Sequence, residues 1–196
     1  MLSKNQKIGG YTVVFLIKQG VYAETYRVKD GLGKNFFLKL INCAKLHRSQ
    51  FGEDGNVLEV QITKQLKHSN IATCHDSGTM LLNGQKFVYV VFDFIAGETA
   101  AQYLAREQTC SVYFAKQIVS GVLNGLKFLH TLPHPIIHNE LTVQNVMLDL
   151  SSEMVVPKII DFGYARYIDQ DACSYLKEGL NPFYLAPEAF NGVFSP

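Results

Sequence analysis

His138-Asn139-Glu140-Leu141-Thr142-Val143-Gln144-Asn145 is followed, sixteen residues after its last member, by Asp161-Phe162-Gly163. A carboxylate and a side-chain carbonyl on adjacent loops can supply the hard oxygen donors that a divalent cation needs, and a further carboxylate is a usable base. An isolated Asp-Phe-Gly occurs often by chance, so the meaning of this stretch depends on what surrounds it. The histidine is not read as a metal ligand: His130, His134 and His138 are spaced by four, but Pro133 and Pro135 break any helix that would align them.

Upstream, the chain reads as strands punctuated by turns. Segments 11–17, 24–30 and 35–41 are rich in β-branched and aromatic residues, with Gly20 in the first turn and Asp30-Gly31-Leu32-Gly33 in the second. A helix is predicted over 56–67, where Leu58, Ile62 and Leu66 form an apolar stripe, and His68-Ser69-Asn70 ends it. Strands over 71–82 and 86–94 follow, joined by Asn83-Gly84, a strong hairpin signal. Beyond Gly97 the period changes. Ala115, Ile118, Val119, Val122, Leu126 and Leu129 recur at helical spacing in a long segment that begins near Ser111. The reading is one α+β domain: an antiparallel five-stranded lobe with one helix over 1–94, and a mainly helical lobe over 95–196, with the boundary in 93–97.

Composition bounds the rest. The chain has 196 residues, a net charge of +1, 47% hydrophobic and 18% charged residues, which is the composition of a folded globular protein. Lysine and arginine are scattered, so there is no basic stripe for a nucleic acid. Apolar runs such as 87–92 fall far short of the ~18 residues of a membrane span. The polar start lacks an apolar signal core, so a cytoplasmic location is expected. Cys43, Cys74, Cys110 and Cys173 form no C-x-x-C pair and read as ordinary reduced thiols.

Six features stand in one order: Lys18-Gln19-Gly20-Val21-Tyr22-Ala23 in a strand–turn–strand, Phe37-Leu38-Lys39 in the third strand, Glu59 in the helix, the 138–145 loop, Asp161-Phe162-Gly163, and Ala186-Pro187-Glu188. This set resembles the protein kinase family over nearly the whole chain. The resemblance implies a two-lobed fold that binds ATP with Mg²⁺ between its lobes and transfers the γ-phosphoryl to protein Ser or Thr hydroxyls. It implies phosphate positioning by Lys39 held by Glu59, backbone contacts to ATP from Gly20, Ala23, Asp93 and Ile95, metal ligation by Asn145 and Asp161, and a base role for Glu140. Phe92 would narrow the back of the base pocket, although Phe92 and Phe94 read equally well as plain core packing. Small-molecule kinases share the lysine and the metal residues but lack a segment closing in Ala-Pro-Glu, which argues against them.

Three departures qualify the resemblance. The family's three loop glycines stand here as Lys18, Gly20 and Ala23, and the added Cβ of Ala23 predicts weakened nucleotide binding. Glu140 replaces an aspartate, moving the carboxylate out by ~1.5 Å, and Thr142 replaces a lysine near the transferred phosphate. Two losses of ~10²-fold each from a typical ~1–100 s⁻¹ predict ~10⁻⁴ to 10⁻² s⁻¹. Asn139 replaces an arginine that receives a phosphorylated activation segment, so Tyr164, Tyr167, Ser174 and Tyr175 lose the usual receptor for such a switch. Lastly, the chain stops at Pro196, where a family member continues through further helices. The helical lobe is therefore expected to be incomplete, and a protein substrate or a partner covering the truncated face is expected. These departures keep open a pseudokinase, a nucleotide-responsive binding or regulatory module of a larger protein, and also a kinase-derived structural domain that binds no nucleotide.

Overall fold

Six strands form one antiparallel sheet in the computed structural model, which describes residues 1–168 and 182–191. They are β1 (Lys7–Ile8), β2 (Tyr11–Gln19), β3 (Ala23–Lys29), β4 (Asn35–Asn42), β5 (Cys74–Leu82) and β6 (Gln85–Asp93), in the order β1-β2-β3-β4-β6-β5. The sheet and the helix α1 (Leu58–Gln65) make up the first of two compact units, Met1–Lys64 with Thr73–Phe94, apart from the last residue of α1. The second unit is Gln65–Ala72 with Ile95–Pro196.

The alternation in β4 organises the first unit. Phe36, Leu38 and Leu40 point to one face and are fully buried with Tyr26, Val28 and Val91. Phe37, Lys39 and Ile41 point to the other, because successive strand side chains alternate. On that face Ile41 packs with Val57, Val88 and Val90 in a second core, next to Val60 of α1. Each fully buried aliphatic contributes ~1.5–3 kcal/mol, so the register of β4 is held from both sides.

The sequence predicts five strands, and the sheet has a sixth. β1 is two residues long, too short to show a period, and pairs Lys7 with Thr12 and Ile8 with Tyr11. The helix is shorter than 56–67 at both ends. Asp54 accepts from the backbone and side chain of Asn56 and from Gln61, which holds residues 54–56 in a turn ahead of α1. The strand expected over 71–82 begins only at Cys74. Ile71 bridges Ile159 in parallel, and the Ala72 N–H donates to the Ile159 carbonyl at 2.9 Å, so these residues belong to the second unit. The predicted hairpin turn is present, with Asn83 and Gly84 both at positive φ, +51 and +76.

In the second unit β7 (Gly97–Thr99), β9 (Val146–Asp149) and β10 (Val156–Ile159) form a three-stranded sheet, and β8 (Ile136–Ile137) pairs with β11 (Arg166–Tyr167). The helix α2 (Ala100–Glu107) was not expected. Its start signal is nevertheless in the sequence: Thr99 and Gln102 form a reciprocal capping box. The long helix α3 (Val112–His130) starts where Ser111 predicts, with the Ser111 hydroxyl accepting from the Phe114 N–H. A Cβ on Gly121 would come within 2.3 Å of Pro157, so β10 packs directly on the backbone of α3. Among the described residues no helix is long and apolar enough to cross a membrane.

Candidate functional site

In the first unit the centre is an ion pair. Lys39 Nζ lies 2.6 Å from Glu59 Oε1, with the two side chains 11% and 4% exposed. β4 supplies the lysine from mid-strand, and α1 supplies the glutamate from its first turn, where the helix dipole favours a carboxylate. Tyr22, from the β2–β3 turn, places its ring 5.6 Å from the Lys39 ammonium. In that turn the Gly20 N–H donates to the Ala23 carbonyl at 2.8 Å, and a Cβ on Gly20 would sit 3.1 Å from the same oxygen. Ala23 pairs with Ile41, two residues along β4 from Lys39. The β2–β3 turn thus leads into β3 two residues along the register from the Lys39–Glu59 pair.

Asp93 stands apart from them. It is paired with Phe36, whose ring faces away from Lys39. Its Oδ1 lies 3.6 Å from Lys34 Nζ and 3.9 Å from His75 Nδ1, both beyond hydrogen-bonding distance. Lys34 and His75 also rest on the Phe36 ring, at 4.8 and 4.7 Å. What Asp93 can offer a ligand on the Lys39 face is therefore its backbone.

In the second unit the 138–145 loop and the Asp161 segment are joined through His138, which is buried. Its Nδ1 accepts from the Glu140 N–H at 3.3 Å, so its Nε2 carries the proton and donates to the Ile160 carbonyl at 3.1 Å. Its ring meets Phe162 edge-on at 4.9 Å, and Phe162 is buried. One imidazole thereby fixes the backbone on both sides of the site. Asn145 completes the loop: its Nδ2 donates to the Glu140 carbonyl at 2.8 Å and reaches Glu140 Oε2 at 3.4 Å, and its own carbonyl accepts from Ile160 at 3.0 Å. That orientation turns Asn145 Oδ1 away from Glu140. Asp161 adopts φ +62, and its Oδ1 accepts from the Gly163 N–H at 3.3 Å. An amide oxygen and a carboxylate on loops braced by one histidine fit the hard-oxygen preference of Mg²⁺.

Two of the substituted positions have structural work that sequence reasoning missed. Thr142 is buried, its hydroxyl accepts from the Gln144 N–H at 3.2 Å, and its carbonyl accepts from the Asn145 N–H at 2.9 Å, so it caps the short turn that presents Asn145. Asn139 takes φ +64, a conformation asparagine tolerates, and its Nδ2 donates to the Tyr164 carbonyl at 3.0 Å. The signal for the first was legible as a threonine immediately before the turn. The second depends on a residue 25 positions away. Tyr167 accepts from Gln65 Nε2 at 2.6 Å. Ser174 and Tyr175 lie outside the described residues, and Glu188 is exposed in the 3₁₀ turn Pro187–Asn191.

A model of the protein kinase domain matches residues 11–193. The chain belongs to the protein kinase domain family. Among its curated relatives, this kinase domain is 31% identical to the serine/threonine-protein kinase atg1 of Dictyostelium discoideum, over 93% of the chain and 27% of that protein. It is 28% identical to the probable serine/threonine-protein kinase PknB of Bifidobacterium longum, over 94% of the chain and 27% of that protein. Against the human serine/threonine-protein kinase ULK1 the figures are 30%, 88% and 16%. The kinase domain therefore spans about a quarter or less of the length of these relatives.

Proposed function

We propose that the chain binds ATP with Mg²⁺ and transfers the γ-phosphoryl slowly to protein Ser or Thr hydroxyls. The observation that carries this reading is the buried Lys39–Glu59 pair at 2.6 Å, which holds a cation rigidly for the phosphates. Breaking such a pair costs ~3–5 kcal/mol, and a fold with no use for a fixed ammonium gains nothing from keeping it. Asn145 and Asp161 are the residues to hold Mg²⁺, which when bound offsets charge on the β- and γ-phosphates. Gly20, Ala23, Asp93 and Ile95 contribute backbone contacts to the nucleotide. Glu140 accepts the proton of the attacking hydroxyl, with Asn145 restraining its backbone and carboxylate together. Relatives named as serine/threonine-protein kinases support hydroxyl acceptors.

A second reading, a pseudokinase that responds to nucleotide without transferring phosphate, is favoured by one observation. Thr142 gives the catalytic loop a cap and no cation. One assay separates the two: transfer of label from γ-labelled ATP with Mg²⁺ to the chain or to an added Ser- and Thr-rich protein, run beside Asp161→Asn and Glu140→Gln. Label that appears with the natural sequence and is lost in both variants is the expected result. Full activity in Glu140→Gln removes the base assignment. No label from a sample whose melting temperature rises with ATP makes the chain a binding module.

A further inference from the structure

The face of the sheet that carries Lys39 also carries an aromatic and cationic row with no part in phosphate chemistry. Phe15, Arg27 and Phe37 are register partners across β2, β3 and β4, and Phe37 pairs in turn with Phe92 of β6. The Phe94 ring lies nearly parallel on Phe37, with centroids 5.0 Å apart and planes 18° apart. The Arg27 guanidinium covers Phe94 at 5.0 Å and lies 5.8 Å from the Phe15 ring, and its Nε donates to Asn35 Oδ1 at 3.1 Å. Phe94 is 37% and Phe15 47% exposed, so this stack is built at the surface of the unit.

Its position decides its consequence. Phe37 and Lys39 are two residues apart on one strand, so their side chains share a face and their Cα atoms lie ~7 Å apart. A nucleotide that places its phosphates at Lys39 and its base at the backbone of Asp93 and its neighbours must run along this face from Lys39 toward the end where Phe37 pairs with Phe92. The Phe37 ring stands on that course, Phe94 stacks on it, and Arg27 braces Phe94 through a cation–π contact.

We infer that the Phe37–Phe94 stack is a plug over the base end of the nucleotide site: it must open before a base can seat, so it sets which ligands the site accepts. This rests on the ATP-binding reading above. The plug discriminates against the base and spares the phosphates, so an inorganic polyphosphate loses nothing to it. Opening it costs the contacts that Phe37 and Arg27 make with Phe94, and binding of a base-bearing nucleotide is weakened accordingly.

The test is calorimetric titration of the natural chain, Phe37→Ala and Phe94→Ala with ATP–Mg²⁺ and, separately, with tripolyphosphate–Mg²⁺. The expected result is an ATP Kd lower by about tenfold in both variants, the scale of one aromatic contact no longer opposed, and an unchanged tripolyphosphate Kd. A gain in affinity is a readout that loss of structure does not produce. If Phe37→Ala fails to fold, Phe94→Ala, which trims an exposed ring, decides alone. ATP affinity that is unchanged or falls in a folded variant overturns the plug, a fall meaning that the rings serve as a stacking platform. If neither the natural chain nor any variant binds ATP or tripolyphosphate, the ATP reading itself fails and the plug with it.

Discussion

The Lys39–Glu59 pair and the 138–145 loop handle substitution in opposite ways. The pair retains both residues of the kinase pattern, and its two members, from different elements, meet at 2.6 Å inside the first unit. The loop carries Asn139, Glu140 and Thr142 where kinases resembling it carry arginine, aspartate and lysine. It still closes every turn: Thr142 caps, Asn139 ties to Tyr164, and Asn145 and His138 bracket Glu140. Neither member of a buried ion pair can change alone, because the charge left in the interior is expensive. A loop whose side chains bond to backbone groups accepts any residue that supplies such a bond and keeps its course. The difference teaches that scaffold and chemistry are separable in the loop and inseparable at the pair.

Breaking the pair gives the largest effect. Lys39→Met leaves the Glu59 carboxylate buried without its ammonium and lowers stability by ~3–5 kcal/mol, read as a shift in denaturant midpoint, with label transfer lost as well. A change under ~1 kcal/mol would mean that water reaches the pair, and the contrast with the loop would collapse. Next is the loop's chemistry. Glu140→Asp restores the shorter carboxylate and raises the rate of label transfer by ~10²-fold; a slower enzyme would show instead that Asn145 has adapted the site to glutamate. The loop's scaffold is tested by Thr142→Ala, expected to cost ~1 kcal/mol through the lost cap, while Thr142→Ser costs less because the hydroxyl remains. Smallest is Ala23→Gly, which removes a Cβ from the first residue of β3 and tightens ATP by less than about tenfold; no change would mean that this end of the strand already clears the ligand.

Much of this was legible in the residues. Strands β2, β3, β4 and β6 begin and end within two residues of where β-branched and aromatic runs predict them, and Asn83-Gly84 turns where expected. The pairing of Lys39 with Glu59 was legible as well, since the family order assigns them to each other before any distance is known. The departure of Ile71 and Ala72 from β5 is a matter of pairing with the distant Ile159, and a pattern within a window carries no record of its partner. β1 was missed because two residues are too few to show a period. The helix α2 was legible and was not read: its capping box is written in Thr99 and Gln102.

By itself, the sequence determined the family, the α+β class and the identity of the groups that chemistry needs, because periodicity and residue type are local properties that survive without coordinates. Tertiary structure decided what the altered residues do. Thr142 became a cap, Asn139 a tether, the Asp93 carboxylate a neighbour of Lys34 and His75, and Phe37 the support of a ring stack beside Lys39. Each of these roles is a contact between residues whose proximity the folded backbone creates. A side chain's chemistry is fixed by its type, whereas its task is fixed by what the fold brings within a few ångströms of it.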